Sequence, residues 1–329
     1  MANLKDVAKL AGVDVSTASR ALNAGKSVSP ETRAKVAAAA AKLGYKPNVM
    51  AQALRAGRTH TLGVLLPRLH LSSFSEILLG IEQKARTLNY FVAVCMTNDD
   101  PALEKEHIVR LSSHVDGIII VGTGKNNKLL RKIRADGTAV IQLIRCQDPE
   151  ISSIVAEYEA GACEAVRYLY GKGCRRIALI NGPERFVPFQ LRRDGYVRAM
   201  EELRLEPITI DGEGETTFDY GYACAERLLD RYPALDAVLA AVDIQGAGAI
   251  RALAARNIRI PEEVRVMSLT GYELGRVLET GMTAMAIPTR EIGAEAVRMI
   301  VQEIEAPEDK KPSLQHLSFA VTLVEREST

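Results

Sequence analysis

The sequence predicts a mixed α/β protein, with an all-α helix-turn-helix headpiece followed by a larger two-lobed domain of parallel sheets. Three observations carry this prediction. Helix-capping residues start three short helical segments before residue 45. From residue 61 onwards, short apolar runs alternate with amphipathic helical segments. This alternation occurs as two successive series, and each series is long enough to form one α/β lobe.

The first helix is expected to begin after Asn3, whose side chain can cap it, and Asp6 follows three residues later as in a capping box. Gly12 ends the helix because glycine readily adopts the left-handed conformation found after helices. Its apolar positions share one face: Leu4, Val7, Ala8 and Ala11. That face is predicted to pack against the next helices.

Two further helices follow at short intervals. Asp14 can cap the second, and Ser29-Pro30-Glu31 starts the third with a cap, a proline and an acid. The third is predicted to end at Gly44. The inward side of the second helix is formed by Ala18, Ala21 and Leu22. The pattern indicates a helix-turn-helix unit, although a small helical bundle of another purpose has the same pattern.

The distribution of charge favours the DNA-binding interpretation of this headpiece. Residues 1–58 contain ten lysines and arginines against three acids, a net charge of +7. The remaining residues contain 32 bases and 38 acids, so the chain as a whole carries only +1. A small basic unit on a mildly acidic body is typical of a protein that contacts a polyanion.

The segment after the headpiece is predicted to be a linker. Lys46-Pro47-Asn48 interrupts the chain, and a short helix is expected from there to Gly57. A helix of this length is not stable alone in water. We therefore expect the linker to fold only against a partner.

The rest of the chain predicts two lobes. Strands are expected at residues 62–67, 91–96, 116–121, 138–144, 176–182, 237–242, 264–269 and 283–287, and between about 314 and 325. Helices are expected at residues 75–88, 102–113, 125–135, 161–171, 189–203, 220–231, 243–256 and 290–304. Apolar strands alternating with helices predict parallel sheets covered on both faces. In this architecture ligands bind at the carboxyl ends of the strands, here in a cleft between the lobes.

Several protein classes are disfavoured by what the sequence lacks. No apolar stretch approaches the length of about 18 residues that a membrane-spanning helix needs. The amino end lacks the apolar segment of a signal peptide, so a cytoplasmic location is expected. The five cysteines have no zinc or CxxC spacing and predict reduced thiols without a metal. No dinucleotide fingerprint, GxSxG elbow or HExxH motif occurs. The interpretation as an enzyme therefore has no motif to support it, no catalytic residue is predicted, and no cofactor is expected.

The sequence closely resembles the LacI/GalR family of bacterial transcription repressors. Three headpiece segments carry the resemblance in order: LKDVAKLAGVDVSTASRALN (4–23), VSPETRAKV (28–36) and LGYKPNVMAQALRAG (43–57). It continues through LGVLLP (62–67), VDGIII (115–120), RRIALINGP (175–183), RRDGYVRAM (192–200), AAVDIQGAGAI (240–250) and LVERES (323–328). The resemblance covers essentially the whole chain.

The resemblance implies a division of the chain into three parts. Residues 1–46 form the DNA-binding headpiece, residues 47–58 a hinge helix, and residues 59–329 a core like the periplasmic binding proteins. The N-lobe is expected at about 59–158 and 288–317, and the C-lobe at about 159–287 and 318–329. The family also implies a homodimer on palindromic operator DNA, associated with the nucleoid when bound, whose operator affinity changes with a small effector. A tetramer is not expected, because the chain ends a few residues after LVERES.

By the same resemblance, the second headpiece helix enters the major groove of DNA. Val15 and Ser16 occupy the two positions that set sequence preference, and Arg20 can fork onto the O6 and N7 atoms of guanine. Five short polar residues match positions that contact phosphate: Thr17, Ser19, Asn23, Ser29 and Thr32. For each Ser or Thr the alternative is a plain helix cap, and both roles can hold for Ser29.

The hinge helix is expected to act in the minor groove. Ala51 and Leu54 match the residues that enter it, where an apolar wedge unstacks a base step and kinks the duplex. Asn48 and Arg55 are assigned to the same DNA-binding set. Two symmetric wedges predict a near-palindrome that opens at a central pyrimidine–purine step, CG by family analogy. The alternative is that Leu54 only packs within a short helix.

The effector is expected in the cleft between the lobes, and it could be a sugar, a sugar phosphate or a related metabolite. Arg192 matches a family arginine that binds ligand hydroxyls or carboxylates, Asp243 matches the acid after a strand, and Ser73 and Phe74 match cleft positions of the first lobe. Arg145 and Thr270 are also assigned to effector binding.

The sequence departs from the family at several polar cleft positions. Neutral residues stand where the family has acids, an asparagine or an aromatic: Ile144, Thr216, Val242 and Thr270. Thr270 and Tyr272 offer replacement hydroxyls. Four arginines could make the cleft cationic and favour a phosphorylated or carboxylated ligand: Arg68, Arg145, Arg185 and Arg192. Alternatively, only Arg192 faces the cleft.

Two other functional interpretations of the sequence compete with that of a DNA-binding regulator. The two lobes alone would also suit a solute-binding protein for transport, but the sequence has a headpiece and lacks a signal peptide. A cytoplasmic sugar-binding protein or an enzyme of similar two-lobed fold is the other alternative. Steep salt dependence of DNA binding would separate the regulator from both.

Overall fold

The structure is a computed structural model that describes residues 2–22, 28–45, 58–69, 72–210, 214–307, 310 and 312–329. The chain forms two compact units, Met1–Thr59 and His60–Thr329. The first contains the headpiece helices, and the second contains two six-stranded sheets. Within the described residues, no helix is both long and apolar enough to cross a membrane.

The headpiece begins with α1 (Leu4–Ala11), whose ends have the expected caps. The side chain of Asn3 accepts hydrogen bonds from the backbone of Lys5 and Asp6, and the Asp6 carboxylate accepts one from the Asn3 backbone. Gly12 follows with φ of 68°, a conformation that favours glycine. The chain can therefore turn sharply into the next helix.

Two helices complete the headpiece: α2 (Val15–Leu22) and α3 (Pro30–Lys42). Ser29 caps α3 by accepting a hydrogen bond from the backbone of Thr32 at 3.2 Å, as predicted. A small core joins the three helices: Val7, Ala8, Ala18, Ala21, Val36, Ala39 and Ala40. Because most of these side chains are alanine, the helices can approach closely while their polar faces remain outside.

The first lobe contains a sheet in the order β11–β5–β4–β3–β1–β2, and all its pairings are parallel. Its strands are β1 (Thr61–Leu66), β2 (Phe91–Met96), β3 (Gly117–Ile120), β4 (Ala139–Leu143), β5 (Ser153–Ala156) and β11 (His316–Phe319). Its helices are α4 (Ser72–Thr87), α5 (Pro101–Ser112), α6 (Asn127–Ala135) and α12 (Thr289–Glu305). Val64 of β1 lies between Val94 and Ile119 of its two neighbours.

The second lobe contains a sheet in the order β12–β10–β9–β8–β6–β7, parallel except for β12. Its strands are β6 (Ile177–Ile180), β7 (Ile208–Thr209), β8 (Ala237–Ala240), β9 (Arg265–Ser268), β10 (Thr283–Ala286) and β12 (Thr322–Val324). Its helices are α7 (Tyr158–Gly171), α8 (Val187–Glu202), α9 (Phe218–Arg231), α10 (Asp243–Ala255) and α11 (Glu273–Val277).

Helices cover both faces of each sheet, which explains the apolar strands. In the first lobe, Leu62 and Val64 face one core cluster, while Leu65 faces a second cluster on the other side. In the second lobe, Leu179 and Ala178 face opposite clusters in the same way. The predicted fold class, parallel sheets covered on both faces, is confirmed.

The chain passes between the lobes three times. It leaves the first sheet after β5, returns to the first lobe after β10, and crosses again between β11 and β12. The sequence pattern did not predict β5, β7 or α11. β7 and α11 are too short for a clear period, and β5 begins with Ser153 and has only three apolar residues. Strand β11 remains in the first sheet through Phe319, beyond the expected boundary at 317.

Two glycines let α4 and α12 pack at close range. A Cβ atom on Gly80 would lie 2.1 Å from the carbonyl oxygen of Arg290, and one on Gly293 would lie 2.3 Å from that of Ile77. Neither position can therefore accept a side chain without moving backbone. Phe74, in the first turn of α4, is buried in the core cluster of the same lobe.

Candidate functional site

The headpiece presents the first part of α2 to solvent. Val15 is 41% exposed, and Ser16 and Arg20 are also exposed. Thr17 and Ser19 are partly buried, and Ala18 between them is fully buried in the headpiece core. The residues assigned to base recognition thus lie together on the exposed side of α2, and the opposite side of this helix packs in the headpiece core.

Asp14 organises the side chains of this surface. Its Oδ1 accepts a hydrogen bond from Ser16 Oγ at 2.6 Å and one from the Thr17 backbone at 2.9 Å. Its Oδ2 accepts one from Thr17 Oγ1 at 2.6 Å. The Ser16 hydroxyl, followed by the Thr17 hydroxyl and backbone, holds the pKa of the Asp14 carboxyl well below its usual range. Asp14 therefore remains an anion next to the residues predicted to read DNA.

Arg20 completes a chain of polar contacts along α2. Its Nη2 donates to Ser16 Oγ at 3.4 Å and to Thr17 Oγ1 at 3.3 Å, and its Nε donates to the Ser16 carbonyl at 3.4 Å. All three contacts are long, so they are weak. The guanidinium is therefore held near the helix surface by bonds that DNA could readily replace.

The structure describes only some of the remaining residues that are predicted to contact DNA. Ser29 and Thr32 lie at the start of α3, and their hydroxyl oxygens are 2.9 Å apart. Five predicted positions lie outside the described residues: Asn23, Asn48, Ala51, Leu54 and Arg55.

The two-lobed unit contains a cavity of about 380 Å³ at the carboxyl ends of both sheets. Its wall includes residues that follow β1, β2, β4 and β5 of the first lobe and β6 to β10 of the second. This is where parallel sheets hold ligands. Five predicted effector residues line it: Ser73, Phe74, Arg145, Arg192 and Thr270. The other arginines considered for the cleft, Arg68 and Arg185, also line it.

Arg192 is a deeply buried cation of the cavity wall, with 4% of its surface exposed. Its guanidinium carbon lies 4.8 Å from the ring centre of Tyr158 and 5.2 Å from that of Phe189. Burial lowers the pKa of Arg192, but a guanidinium remains charged at neutral pH. The position therefore contributes a fixed positive charge to a largely dehydrated wall.

Arg145 has a different environment. Its Nη1 lies 2.5 Å from Oδ1 of Asp99 and donates to the Gly122 carbonyl at 3.3 Å. Its guanidinium carbon also lies 3.5 Å from the ring centre of Phe186, which belongs to the other lobe. Arg145 is thus neutralised by an acid of its own lobe and bridges the cleft through a cation–π contact.

Asp243 differs from expectation, because it lies behind the cavity wall and is not part of the lining. Its Oδ1 accepts hydrogen bonds from Ser268 Oγ and Thr270 Oγ1, both at 2.6 Å, and from the Gly271 backbone at 3.0 Å. Its Oδ2 accepts one from the Tyr272 backbone at 2.6 Å. These four donors occupy the carboxylate, so Asp243 shapes the 270–272 loop instead of facing a ligand.

Two tyrosines close the interior of the cavity. Burial raises the pKa of Tyr158 to about 12, partly offset by the charge of Arg192. Burial also raises the pKa of Tyr272, partly offset by Arg192 and by a hydrogen bond from Ser73 of the other lobe. Both hydroxyls therefore remain protonated at neutral pH and act as neutral hydrogen-bonding groups.

Sequence reasoning missed several lining residues: Asp99, Tyr158, Phe186, Phe189 and Glu215. All of them follow a strand of one of the two sheets. That position was an available signal, since the carboxyl ends of parallel strands converge at one edge. Their residue types gave no signal, because phenylalanine and tyrosine are more often core residues. Among the described residues, no group of acids, histidines and cysteines is arranged to hold a metal ion.

Comparisons with known proteins match both units. A family described as bacterial regulatory proteins, lacI family, matches residues 3–48, and a periplasmic binding protein-like domain matches residues 166–329. The transcriptional regulator RegA of Clostridium saccharobutylicum is 30% identical over 99% of this chain and 99% of its own length. A ribose operon repressor of Halalkalibacterium halodurans is 29% identical over 100% of this chain and 97% of its own.

A solved structure gives the same result for the fold. The Lac repressor dimer bound to operator and the anti-inducer ONPF matches with a TM-score of 0.89 and 27% identity, over 99% of this chain and 98% of that chain. A helix-turn-helix headpiece joined to a two-lobed domain with a cavity between the lobes defines a DNA-binding transcription regulator that responds to a ligand. The chain belongs to the lacI family of bacterial regulatory proteins, as its sequence resemblance predicted.

Proposed function

We propose that this protein represses genes of carbohydrate utilisation by binding a near-palindromic operator as a homodimer. The observation that carries the proposal is the exposed outer side of α2, with Val15, Ser16 and Arg20 presented on a basic headpiece. The names of the similar proteins, a ribose operon repressor and the Lac repressor bound to operator, support the same class of target. The protein acts in the cytoplasm, on nucleoid DNA.

In the proposed complex, α2 lies in the major groove. Arg20 leaves its weak contacts with Ser16 and Thr17 and forms two hydrogen bonds with a guanine. Ser19, Ser29 and Thr32 set the register by contacts to phosphate, and Asn23 adds to them. Thr17 joins them when its hydroxyl leaves Asp14, because a phosphate oxygen only accepts hydrogen bonds. The division into a headpiece (1–46), a hinge (47–58) and a two-lobed core (59–329) is part of this proposal.

An exposed apolar edge supports the homodimer. β2 is an edge strand of the first sheet, and three of its side chains are well exposed: Phe91 at 71%, Val94 at 39% and Met96 at 42%. Val277 of α11 in the second lobe is 61% exposed. Apolar side chains grouped on an open sheet edge indicate a protein–protein contact. A second copy of the chain would cover this edge and bring two hinge segments together.

The effector acts by changing how the two lobes are arranged. Ligand in the cavity contacts both sheets, so its affinity depends on the lobe arrangement. The lobe arrangement in turn determines how far apart the two hinges of a dimer are held. Only a difference in affinity between two arrangements can shift operator binding. A sugar, a sugar phosphate or a related metabolite is the proposed effector class.

The experiment is selection of preferred duplexes from a random inverted-repeat library with the full-length protein. We expect one repeated half-site with a guanine opposite Arg20. Arg20→Lys keeps the charge but loses the fork, so the preference for this guanine should fall by about 1–3 kcal/mol. Arg167→Gln, on the exposed surface of α7, is the matched control and should leave the preference unchanged. Enrichment of no sequence would favour the two-lobed sugar-binding protein or enzyme instead.

A further inference from the structure

A side-chain contact joins the two lobes across the cleft. Arg145 lies just after β4 of the first lobe, and Phe186 lies just before α8 of the second. The guanidinium carbon is 3.5 Å from the ring centre, and both residues are buried, with 6% and 4% of their surface exposed. A cation–π contact is stronger where water is excluded than at an exposed site. This pair is therefore suited to hold the lobes together.

Asp99 fixes the guanidinium from the side of the first lobe. Arg145 Nη1 lies 2.5 Å from Oδ1 of Asp99, and it also donates to the Gly122 carbonyl at 3.3 Å. A guanidinium forms hydrogen bonds at its edge and stacks with its planar face, so both kinds of contact hold at once. The edge of Arg145 is thus bound within its own lobe, and its face contacts the other lobe.

The backbone is strained at both partners of this ion pair. Ile144, directly before Arg145, has φ of 65°, which is rare for a β-branched residue. The Arg145 backbone nitrogen lies 2.5 Å from the Leu143 carbonyl oxygen, so the chain forms a γ-turn around Ile144. Asp99 has φ of 57° and follows Asn98, which has φ of 53°. Such strain persists only where surrounding contacts maintain it, and it occurs often at switch regions.

Two further hydrogen bonds maintain the strained turn. The Ile144 backbone donates to the Ile154 carbonyl at 2.8 Å, which continues the first sheet beyond β4. The Tyr158 hydroxyl donates to the Ile144 carbonyl at 3.3 Å, and Tyr158 is the first residue of α7 in the second lobe. The turn that carries Arg145 is therefore held between the two lobes and is not free to rotate away from Phe186.

All of these contacts are formed by the chain itself, so none of them requires a bound molecule. They favour one arrangement of the lobes over others. A ligand can shift such a balance only through a difference in its affinity for the arrangements. The contacts of Arg145 therefore contribute to the balance on which any effector acts.

We propose that Asp99, Arg145 and Phe186 form an inter-lobe clasp that holds the two lobes in the arrangement that binds the operator, without an effector. Arg145 is then a positioning residue and not a ligand contact. This inference rests on the proposed function, because it concerns operator binding. A clasped dimer keeps its two hinges at one spacing, whereas unclasped lobes sample several spacings, and the fraction that fits both half-sites falls. An effector that prefers another lobe arrangement must open the clasp and release the operator.

The first test follows the clasp directly, without DNA or metabolites. The chain contains no tryptophan, so Phe186→Trp introduces a single indole that keeps an aromatic face for Arg145. Adding Arg145→Gln to this variant should shift the emission to longer wavelength and increase quenching by acrylamide, because the indole is then more exposed. Asp99→Asn should have an intermediate effect, since Arg145 loses its counter-ion.

The matched control for this test is a cation–π pair within one lobe. Arg175 lies 3.8 Å from the ring centre of Tyr170, and both residues belong to the second lobe. Arg175→Gln added to Phe186→Trp should leave the emission and the quenching unchanged. Circular dichroism confirms that each variant is folded.

The second test measures operator affinity without added metabolites. Arg145→Gln and Phe186→Leu should each lower the affinity of the full-length protein for its selected operator at least about threefold, because the operator-binding arrangement is populated less. The double variant should lose little more than the stronger single variant, since both substitutions remove the same contact. Arg175→Gln should bind the operator as tightly as the unmodified protein.

Three results would overturn the inference: unchanged indole emission after Arg145→Gln, unchanged or increased operator affinity of folded Arg145→Gln, or fully additive effects of the two substitutions. The emission measurement does not involve DNA, so it tests the clasp separately from the proposed function. Failure of the unmodified protein to select any operator would instead overturn the proposed function.

Discussion

At the scale of single residues, Asp14 controls which hydrogen bonds the recognition helix can offer. The Ser16 and Thr17 hydroxyls each donate to its carboxylate at 2.6 Å. A hydroxyl whose proton is committed in this way can only accept further hydrogen bonds. In the major groove, the available donors are the amino groups of cytosine and adenine. Ser16 is therefore expected to face one of these two bases.

Replacing Asp14 by alanine tests this assignment. Asp14→Ala frees the Ser16 proton, so Ser16 could also donate to the acceptors of guanine and thymine, and the base preference opposite it should broaden. Operator selection with the variant measures this change. Asp6→Ala, which removes the acid of the capping box at the start of α1, is the control and should retain the original preference. An unchanged base preference in Asp14→Ala would show that Ser16 does not read DNA through this contact.

The low pKa of the Asp14 carboxyl also makes the stability of the headpiece depend on pH. Because its pKa is lower in the folded headpiece than in the unfolded chain, the charged form stabilises folding above the unfolded value, near 3.8. That contribution is lost as the pH falls through the folded value. At neutral pH the contact is complete, so DNA recognition should not depend on the protonation of Asp14.

At the scale of elements, the hinge segment joins the DNA-reading unit to the ligand-binding unit. Residues 47–57 of this segment lie outside those the structure describes, and the role of the hinge is a prediction from the sequence. Leu54→Ala should lose most of the specific operator affinity, because the apolar wedge that unstacks the central base step is removed. A gel-shift titration measures the loss, and circular dichroism should show an intact two-lobed domain.

The control for this prediction is Leu54→Met, which keeps an apolar side chain of similar volume and should largely retain operator affinity. If Leu54→Ala bound the operator as tightly as the unmodified protein, Leu54 would be a packing residue of a short helix, and the wedge would not exist.

The open edge of β2 gives a second prediction at this scale. The unmodified protein should sediment as a dimer, neither monomer nor tetramer. Phe91→Glu should favour the monomer, because a carboxylate placed in an apolar interface must be dehydrated. Val109 on α5 is similarly exposed at 52%, so Val109→Glu is the matched control and should remain dimeric. A dimeric Phe91→Glu would place the interface elsewhere.

Most elements were predictable from sequence because they are long or strongly capped. Asn3 and Ser29 mark helix starts through side-chain chemistry, and the structure shows both caps. β7 has only two residues and α11 five, which is too short for a period of either kind. Length, capping and the presence of an uninterrupted apolar run therefore decided which elements could be identified.

The site was only partly predictable, because its contacts join distant parts of the chain. Arg145 and Asp99 are 46 positions apart, and no local pattern indicates that they pair. The residue type of Asp243 alone suggested a ligand contact. In the structure, four hydrogen-bond donors from the 268–272 segment occupy its carboxylate. Residue identity located the cleft, whereas tertiary contacts determined which polar groups remain free.

At the scale of the whole molecule, DNA binding and the response to a ligand depend on different physical interactions. The headpiece concentrates positive charge, which provides affinity for any duplex and depends strongly on salt. The exposed side of α2 adds the sequence preference. The two-lobed domain surrounds a cavity, and its ligand can influence DNA only through a difference between two arrangements of the lobes. Dimer formation combines charge, sequence preference and lobe arrangement in one assembly, because two half-sites are then bound together.

The most direct measurement is competition binding to three duplexes: a selected inverted repeat, the same repeat with one half-site scrambled, and a random sequence. The account predicts that the intact repeat binds at least about 1,000-fold more tightly than the random duplex, with an intermediate value for the single half-site. All three affinities should fall steeply as salt increases. Equal affinity for the three duplexes, with or without added metabolites, would contradict the account.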